Sequence, residues 1–402
     1  MPAGRRRYEV WAGANYGGGH GQGWDVTGYQ TSSDLITPIF SMSPPTASLQ
    51  ATYPSLAQGP PPPIYPHETP SAAFLNGQPV SYLPYSAPIP YMQQAHFDVQ
   101  HQMPYGIFVD AGYVWTRGIH LPFWADSNQV PADLLGPGNA QLNRPYPQYQ
   151  GLSSNLEDGI SNYDGFLLTV KHQFSQGLMF VANYTWSKAM DTQTVSNWSG
   201  GDSGLVQYTY NPMANYGPGN ADMPNIFNFY VVYQLPVGKG KHFVNQGGVL
   251  NAVVGGWQVS SVFQAHSGSP YTPTMGTANL SGSLANNWYP NRVGGGTVPN
   301  PNINEWFNPA AFVEPAAYTF GDSGRNVLFG PSYKDLDISL SKGFPISKLG
   351  EGAKFEIRAD AFDSLNNPNF GFPNSSIGTF GVGVISTANT SRTMQLGARL
   401  SF

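Results

Sequence analysis

A period-two alternation of apolar and polar residues recurs along most of the chain and limits the folds open to it. Between Asp164 and Phe174 one set reads Phe166, Leu168, Val170, Phe174, interrupted by His172, while the other carries Thr169, Lys171 and Gln173. Leu178, Phe180, Ala182, Tyr184 and Trp186 follow, set against Asn183, Thr185 and Ser187. Ser175 and Gln176, followed by Gly177, make a tight hairpin between the two runs. Successive side chains of a strand point to opposite faces, so this pattern suits a strand with hydrocarbon on one side and water on the other. Comparable stripes run through Tyr8, Val10, Ala12, Ala14, Tyr16; Phe97, Val99, Met103; and Ile107, Val109, Ala111, Tyr113, Trp115. Further along come Phe227, Phe229, Val231, Tyr233, Leu235; Trp257, Val259, Phe263, Ala265; Leu336, Ile338, Leu340, Phe344; and Phe355, Ile357, Ala359, Ala361. The last stripe, Met394, Leu396, Ala398, Leu400, Phe402, ends the chain. The reading is an all-β, antiparallel transmembrane barrel wall of about ten strands, each near the roughly 9 to 11 residues that cross an outer membrane at a tilt.

The connections sharpen that reading, because longer and shorter ones alternate, as they do when one rim of a barrel carries turns and the other carries loops. Turns at 104–106, 175–176 and 345–352 are assigned to the periplasmic rim, and the Gly/Pro/Asn-rich loops 17–95, 118–163, 189–224, 267–333 and 366–391 to the outside. The longer periplasmic connection 236–255 predicts a short helix or a folded-back turn. Phe174, Trp257, Phe344 and Phe402 fall at the periplasmic strand ends, and Tyr113, Trp115, Tyr184 and Trp186 at the outer ones, giving two aromatic girdles. Composition agrees: of 402 residues only 10% are charged, against about a quarter in ordinary soluble domains. The 47 Gly, 36 Pro and 14% aromatic residues suit short strands and long loops. Without Cys there is no thiolate chemistry, and a net charge of -5 gives no footprint for nucleic acid.

Several segments, taken in order, carry a family likeness. SNYDGFLLTVKHQFSQGLMFVANYTWSKAMD (161–191), YQLPVGKGK (233–241), GGWQVSSVFQAHSGSPYTP (255–273), WFNPAAF (306–312), FGDSGRNVLFGPSYKDLDISLSKGFPI (320–346) and FEIRADAFDSLNNPNFGFPN (355–374) resemble the C-terminal barrel of Oar-like TonB-dependent outer-membrane receptors. These are the acidobacterial type with a carboxypeptidase-regulatory-like N-terminal domain. The resemblance is closest over 90–402. It implies a 22-stranded barrel with a plug, binding a nutrient outside and importing it with energy from the TonB complex. Residues 1–402 carry no plug sequence, no TonB box and about ten of those strands, so they are read as part of the barrel domain of a longer receptor. Arg5, Arg6 and Arg7 precede no apolar export core, which places the signal upstream as well. The terminal stripe Met394, Leu396, Ala398, Leu400 and Phe402 resembles the signal by which the barrel assembly machinery recognises a final strand.

Motifs of catalysis are weak by comparison. Gly201-Asp202-Ser203-Gly204 and Gly321-Asp322-Ser323-Gly324 match the surroundings of a serine-protease nucleophile, but they lack a partner His in context and read as turns. The run Gly17–Gly23 lacks the Lys-Ser/Thr of a phosphate loop and reads as a flexible loop. The eight His are dispersed without metal spacing, and His101 and His172 on apolar faces read as structural. Glu356 and Asp360, with Lys354 and Arg358, read as a charged lumen face in preference to glycosidase carboxylates. The Pro-rich tract 59–66 is read as a stiff loop segment.

The function expected is therefore transport, with no enzyme activity and no cofactor. Trp198, Tyr208, Tyr210, Trp288 and Trp306 in the outer loops are the candidate platforms for a carbohydrate or another polar nutrient. A small self-contained pore or adhesin in the same membrane, and a secreted β-rich carbohydrate-binding or hydrolytic protein, are the alternatives.

Overall fold

A computed structural model describes residues 6–13, 29–31, 76–77, 79–82, 88–192, 206–245, 247–285, 287–346, 350 and 353–402. Ten strands form one continuous sheet in chain order: β1 (Arg6–Gly13), β2 (Tyr91–Gln102), β3 (Ile107–Asp126), β4 (Leu152–Ser175), β5 (Leu178–Asp191), β6 (Asn225–Gln234), β7 (Trp257–His266), β8 (Tyr333–Pro345), β9 (Lys354–Phe362) and β10 (Thr393–Ser401). Each pairs antiparallel with the next, a meander of hairpins in a single layer. A secreted β-sandwich would have a second sheet packed on its apolar face, and here that face lies open. Among the described residues β1 and β10 do not pair with each other, so the ten strands make an open wall and not the small closed barrel of the alternative reading.

Register decides which side meets lipid. Ala111 stands opposite Val99 and Leu168; Ala182 stands opposite Val170 and Phe229; Phe263 stands opposite Phe229 and Leu336; Phe355 stands opposite Phe344 and Leu400. Every apolar stripe of β2 to β10 thus adjoins another, and the sheet acquires one continuous apolar face. A slip of one residue at any pair would move a whole stripe to the other side. Phe97, Val99, Phe166, Trp186, Ile338 and Leu340 on this face are exposed, which in water would be an extensive apolar patch and in a bilayer is the ordinary lipid contact. The opposite face carries Asp110, Thr169, Asn183, Asn228, Gln258, Ser339, Arg358 and Gln395. There Arg358 donates to Asp360 at 2.6 Å and Lys354 to Glu356 at 2.8 Å, so these charges serve as paired neighbours on the strand.

Central β6 offers a direct test of this assignment, because Val231 and Val232 are adjacent and face opposite ways. Val231→Arg is expected to lower the stability of the vesicle-embedded protein by about 2–4 kcal/mol, and Val232→Arg to leave it nearly unchanged. Denaturant unfolding followed by tryptophan fluorescence reads the difference, and equal effects would reverse or abolish the assigned faces.

The turns after β2 and β4 fall where the sequence reading put them, the second of them one residue later. Gln176 (φ 51°) and Gly177 (φ 87°) form the two-residue turn between β4 and β5, both in the left-handed region that a type I′ hairpin requires. Pro104–Gly106 is a short 3-10 turn with Tyr105 and Gly106 at positive φ. A helix does occupy the longer connection that the sequence reading placed on the periplasmic rim: α1, Val249–Val254.

Strand length departs from expectation. β3 has 20 residues and β4 has 24, so the loop expected over 118–163 shrinks to the stretch between Asp126 and Leu152. Trp115 and Trp186 are the ninth residues of β3 and β5, at the boundary the sequence reading assigned to the outer girdle but short of the strand ends. Tyr113 donates to Asp164 at 2.5 Å and Tyr184 to Asn225 at 2.6 Å, the polar handles that aromatic residues need at this boundary. Backbone pairing satisfies N–H and C=O groups wherever the strand runs, so the strands continue into water, through register shifts at Ile119, Leu121 and Phe123. The last strand is an edge, and Met394, Leu396, Leu400 and Phe402 are all exposed.

Candidate functional site

The buried core of the molecule lies in the outer loops. Tyr271, Phe307, Ala311, Phe312, Leu328 and Ile377 pack together, with Met275, Trp306, Val327 and Val382 against them. Four small pairings frame this cluster: Pro270–Tyr271 with Leu328–Phe329, Thr274–Met275 with Ser376–Ile377, Asn291–Arg292 with Phe312–Val313, and Thr297–Asn302 with Glu305–Phe307. The sequence reading took 267–333 and 366–391 as irregular loops, whereas together they form a folded outer assembly. Burial pushes the ionisation of the Tyr271 phenol well above its ordinary value.

Buried polar side chains tie this assembly to the wall. Arg325 donates to the carboxylate and carbonyl of Asp191, to the Asn215 carbonyl at 3.1 Å and to Asn220 at 3.4 Å. Gln207 donates to the Gly321 carbonyl at 2.9 Å and accepts from the Tyr289 amide at 2.8 Å. Gln129 accepts from the Thr209 amide at 2.8 Å, linking the loop after β3 to the loop after β5. Asn128 is enclosed and donates to the carbonyls of Tyr146, Tyr149 and Gln150.

Within this frame the predicted platforms take mainly structural places. Trp288 is 3% exposed and donates its indole N–H to the Thr319 carbonyl at 3.1 Å, so its ring is closed to a ligand. Trp306 donates to the Phe329 carbonyl at 2.9 Å and packs on the loop core. Tyr208 lies 4.6 Å from the Phe320 ring and 5.4 Å from the Tyr210 ring, and its hydroxyl accepts from the Ala132 amide. Tyr210, partly exposed, donates to the carbonyls of Ser127 and Gln129. Tyr208 and Tyr210 are brought together, and Trp306 packs apart from them on the loop core; Trp198 lies outside the described residues, as do Gly17–Gly23, 59–66 and Gly201-Asp202-Ser203-Gly204. At the second protease-like motif, Asp322 accepts from the Arg292 amide at 2.8 Å, a link between residues thirty positions apart, and Ser323 is buried. His172 stacks on Phe180 at 5.7 Å.

A concavity that the sequence reading missed opens where the polar face reaches the outer rim. One part, about 240 Å³, is lined by Tyr333, Asp335, Asp337, Asp363, Asn389 and Thr393. The adjoining part, about 140 Å³, is lined by His266, Ser269, Tyr333, Asn369, Phe370 and Phe372. His266 and Tyr333 are cross-strand partners whose rings stack at 5.0 Å. Asn369 pins the last loop to β8, accepting from the Lys334 amide and donating to the Lys334 carbonyl, both at 2.9 Å. Asp337 accepts from the Asp363 amide at 3.0 Å. The alternation Tyr333, Asp335, Asp337 along one face was legible in the sequence; the loop residues Asn369 and Asn389 had no periodic signal to place them. The surface combines carboxylates, amides and ring faces, an arrangement that holds donor-rich polar molecules. Among the described residues no group of three or more His, Asp or Glu could hold a metal ion.

The sequence from residue 17 to residue 395 matches the family described as outer membrane beta barrel domain. The chain belongs to that family. As an outer membrane β-barrel domain it resides in the outer membrane, its apolar face in lipid. No curated protein matches the barrel domain's sequence. Among solved structures it is similar to the outer membrane transporter YddB from Escherichia coli, at 12% identity over 82% of this chain and 34% of that one, with a TM-score of 0.44. It is likewise similar to the FrpB iron transporter from Neisseria meningitidis, at 11% identity over 80% and 32% of the two chains, TM-score 0.38. The siderophore receptor PiuA from Acinetobacter baumannii gives 10% identity over 78% and 28%, also at 0.38. The barrel domain spans about a third of the length of these structures.

Proposed function

We propose that this chain is part of the wall of a TonB-dependent receptor, of the Oar-like kind its sequence resembles, which takes up a polar nutrient across the outer membrane. The observation that carries the proposal is the concavity at the top of the polar face, built from wall strands β7 to β10 and bordered by the folded outer assembly. A ligand held there by Asp335, Asp337, Asn389 and the His266–Tyr333 ring pair stands at the entrance to the barrel interior. Tyr210 supplies a further exposed aromatic face on the outer assembly. Carboxylate and amide acceptors suit the hydroxyls of a carbohydrate, which is the nutrient class proposed. The plug and the TonB contact belong to the rest of the longer receptor, and β10 with Phe402 serves as the recognition strand for barrel assembly.

The test is uptake of labelled oligosaccharides by source cells with and without the intact gene, with and without a protonophore. Uptake that needs both the gene and the proton gradient is the expected result. Uptake that needs the gene but ignores the protonophore would replace active import by a passive pore, and gene-independent uptake of every saccharide tried would remove the nutrient class.

A further inference from the structure

The connection between β6 and β7 does more than turn the chain around. α1, Val249–Val254, is tied to the lipid side of the wall. Trp257, on the apolar face at the periplasmic end of β7, donates its indole N–H to the Val253 carbonyl at 2.9 Å. Lys342 shares that face, paired with Trp257 in the register. A lysine there should be expelled from lipid, yet Lys342 is 4% exposed. Its ammonium donates to the carbonyls of Ala252 at 2.6 Å and Val253 at 3.1 Å, between the rings of Trp257 and Phe344 at 5.4 and 5.1 Å. The ammonium satisfies carbonyls at the helix C-terminus, where the helix dipole also favours a cation. The helix is thereby bolted outside the wall, at the level of the periplasmic aromatic girdle.

Its free side is apolar. Val249 is 82% and Val253 62% exposed, and Leu250 is exposed beside them. Asn251 turns the other way and accepts from the Lys239 amide at 2.7 Å, holding the helix to its own connection. β7 is flanked on both sides by β6 and β8, so the helix covers no open sheet edge. The surface continuous with Val249, Leu250 and Val253 is the lipid-facing belt itself.

We infer that α1 is an interfacial anchor: its Val249, Leu250 and Val253 side insert among the phospholipids of the periplasmic leaflet, and Lys342 and Trp257 fix its depth. A short helix lying in the membrane plane with one apolar side fits this placement. Lys342 would then be a positioning residue whose charge is solvated by carbonyls and ring faces of the protein itself.

The chain has no Cys, so single-cysteine labelling reads the environment directly. Val249→Cys and Val253→Cys, with Asn245→Cys as the solvent control in the same connection, are labelled with a bimane fluorophore and the barrel is placed in phospholipid nanodiscs. Retained heat-modifiable mobility on gels confirms that each variant is folded. Quenching by phospholipids carrying a doxyl group near the headgroup is expected to be at least about two-fold stronger at 249 and 253 than at 245, with iodide quenching in the reverse order. Equal quenching patterns at the three positions, or stronger iodide quenching at 253, would overturn the inference. In the Lys342→Gln variant the lipid quenching at 253 is expected to fall towards the control; unchanged quenching there would remove Lys342 from the anchor while leaving the helix in it.

Discussion

Replacing Arg325 with alanine is expected to destabilise the outer assembly by about 3–5 kcal/mol, the range for removing one partner of a buried ion pair. The guanidinium has four partners on residues 191, 215 and 220, and its side chain is 2% exposed. Alanine removes the guanidinium's bonds to the Asp191 carboxylate and to the carbonyls of Asp191 and Asn215 in a site that water reaches poorly. Arg325→Lys should recover little, because one compact ammonium cannot reach acceptors that a planar fork spans. The readout is protease cleavage of the outer loops on intact cells, together with heat-modifiable mobility. Faster cleavage with unchanged mobility is the expected pair. Unchanged cleavage would mean that the loops do not depend on this link.

Phe307→Ala is expected to act on the same assembly from its apolar side, by about 3–5 kcal/mol. Phe307 is fully buried and meets Tyr271 and Phe312 edge-on, with ring centroids at 6.1 and 5.9 Å. Alanine there opens a cavity within the cluster that the four small strand pairs frame. Phe380→Ala, at a fully exposed ring in the last outer loop, is the control and should change little. Thermal unfolding followed by near-ultraviolet circular dichroism, which reports fixed aromatic packing, should show an earlier loop transition for Phe307→Ala alone. A wild-type profile would contradict a folded loop core.

What the sequence made legible follows from periodicity. Stripes such as Phe166, Leu168, Val170 and Leu336, Ile338, Leu340 are dictated by lipid on one side, so alternation placed the wall, its faces and its turns. Lipid imposes no such rule above the membrane. Ser153, Asn155 and Gly159 look like loop residues, yet they pair across to β3 because strand pairing needs backbone groups and not apolar side chains. The same blindness affected the aromatics: Trp288 and Tyr210 look alike as loop residues, and only long-range packing buries one and exposes the other. Lys342 was hidden for the opposite reason. It sits in an apolar stripe as an apparent exception, and its partners are carbonyls some 90 residues away in sequence.

The unequal strand heights have a further consequence. β3 and β4, with 20 and 24 residues, stand well above β6 and β7, with 10 each, so the rim of the wall is slanted. The outer assembly springs from the low side and meets the loop of the high side, where the Val130 amide donates to the Ser283 carbonyl, and the loop after β5, where Gln207 reaches Gly321. A cover braced in this way cannot swing sideways as a free flap. Displacing the assembly breaks several buried hydrogen bonds in concert, and such openings fall on slow timescales visible to hydrogen exchange and not to fast loop fluctuation.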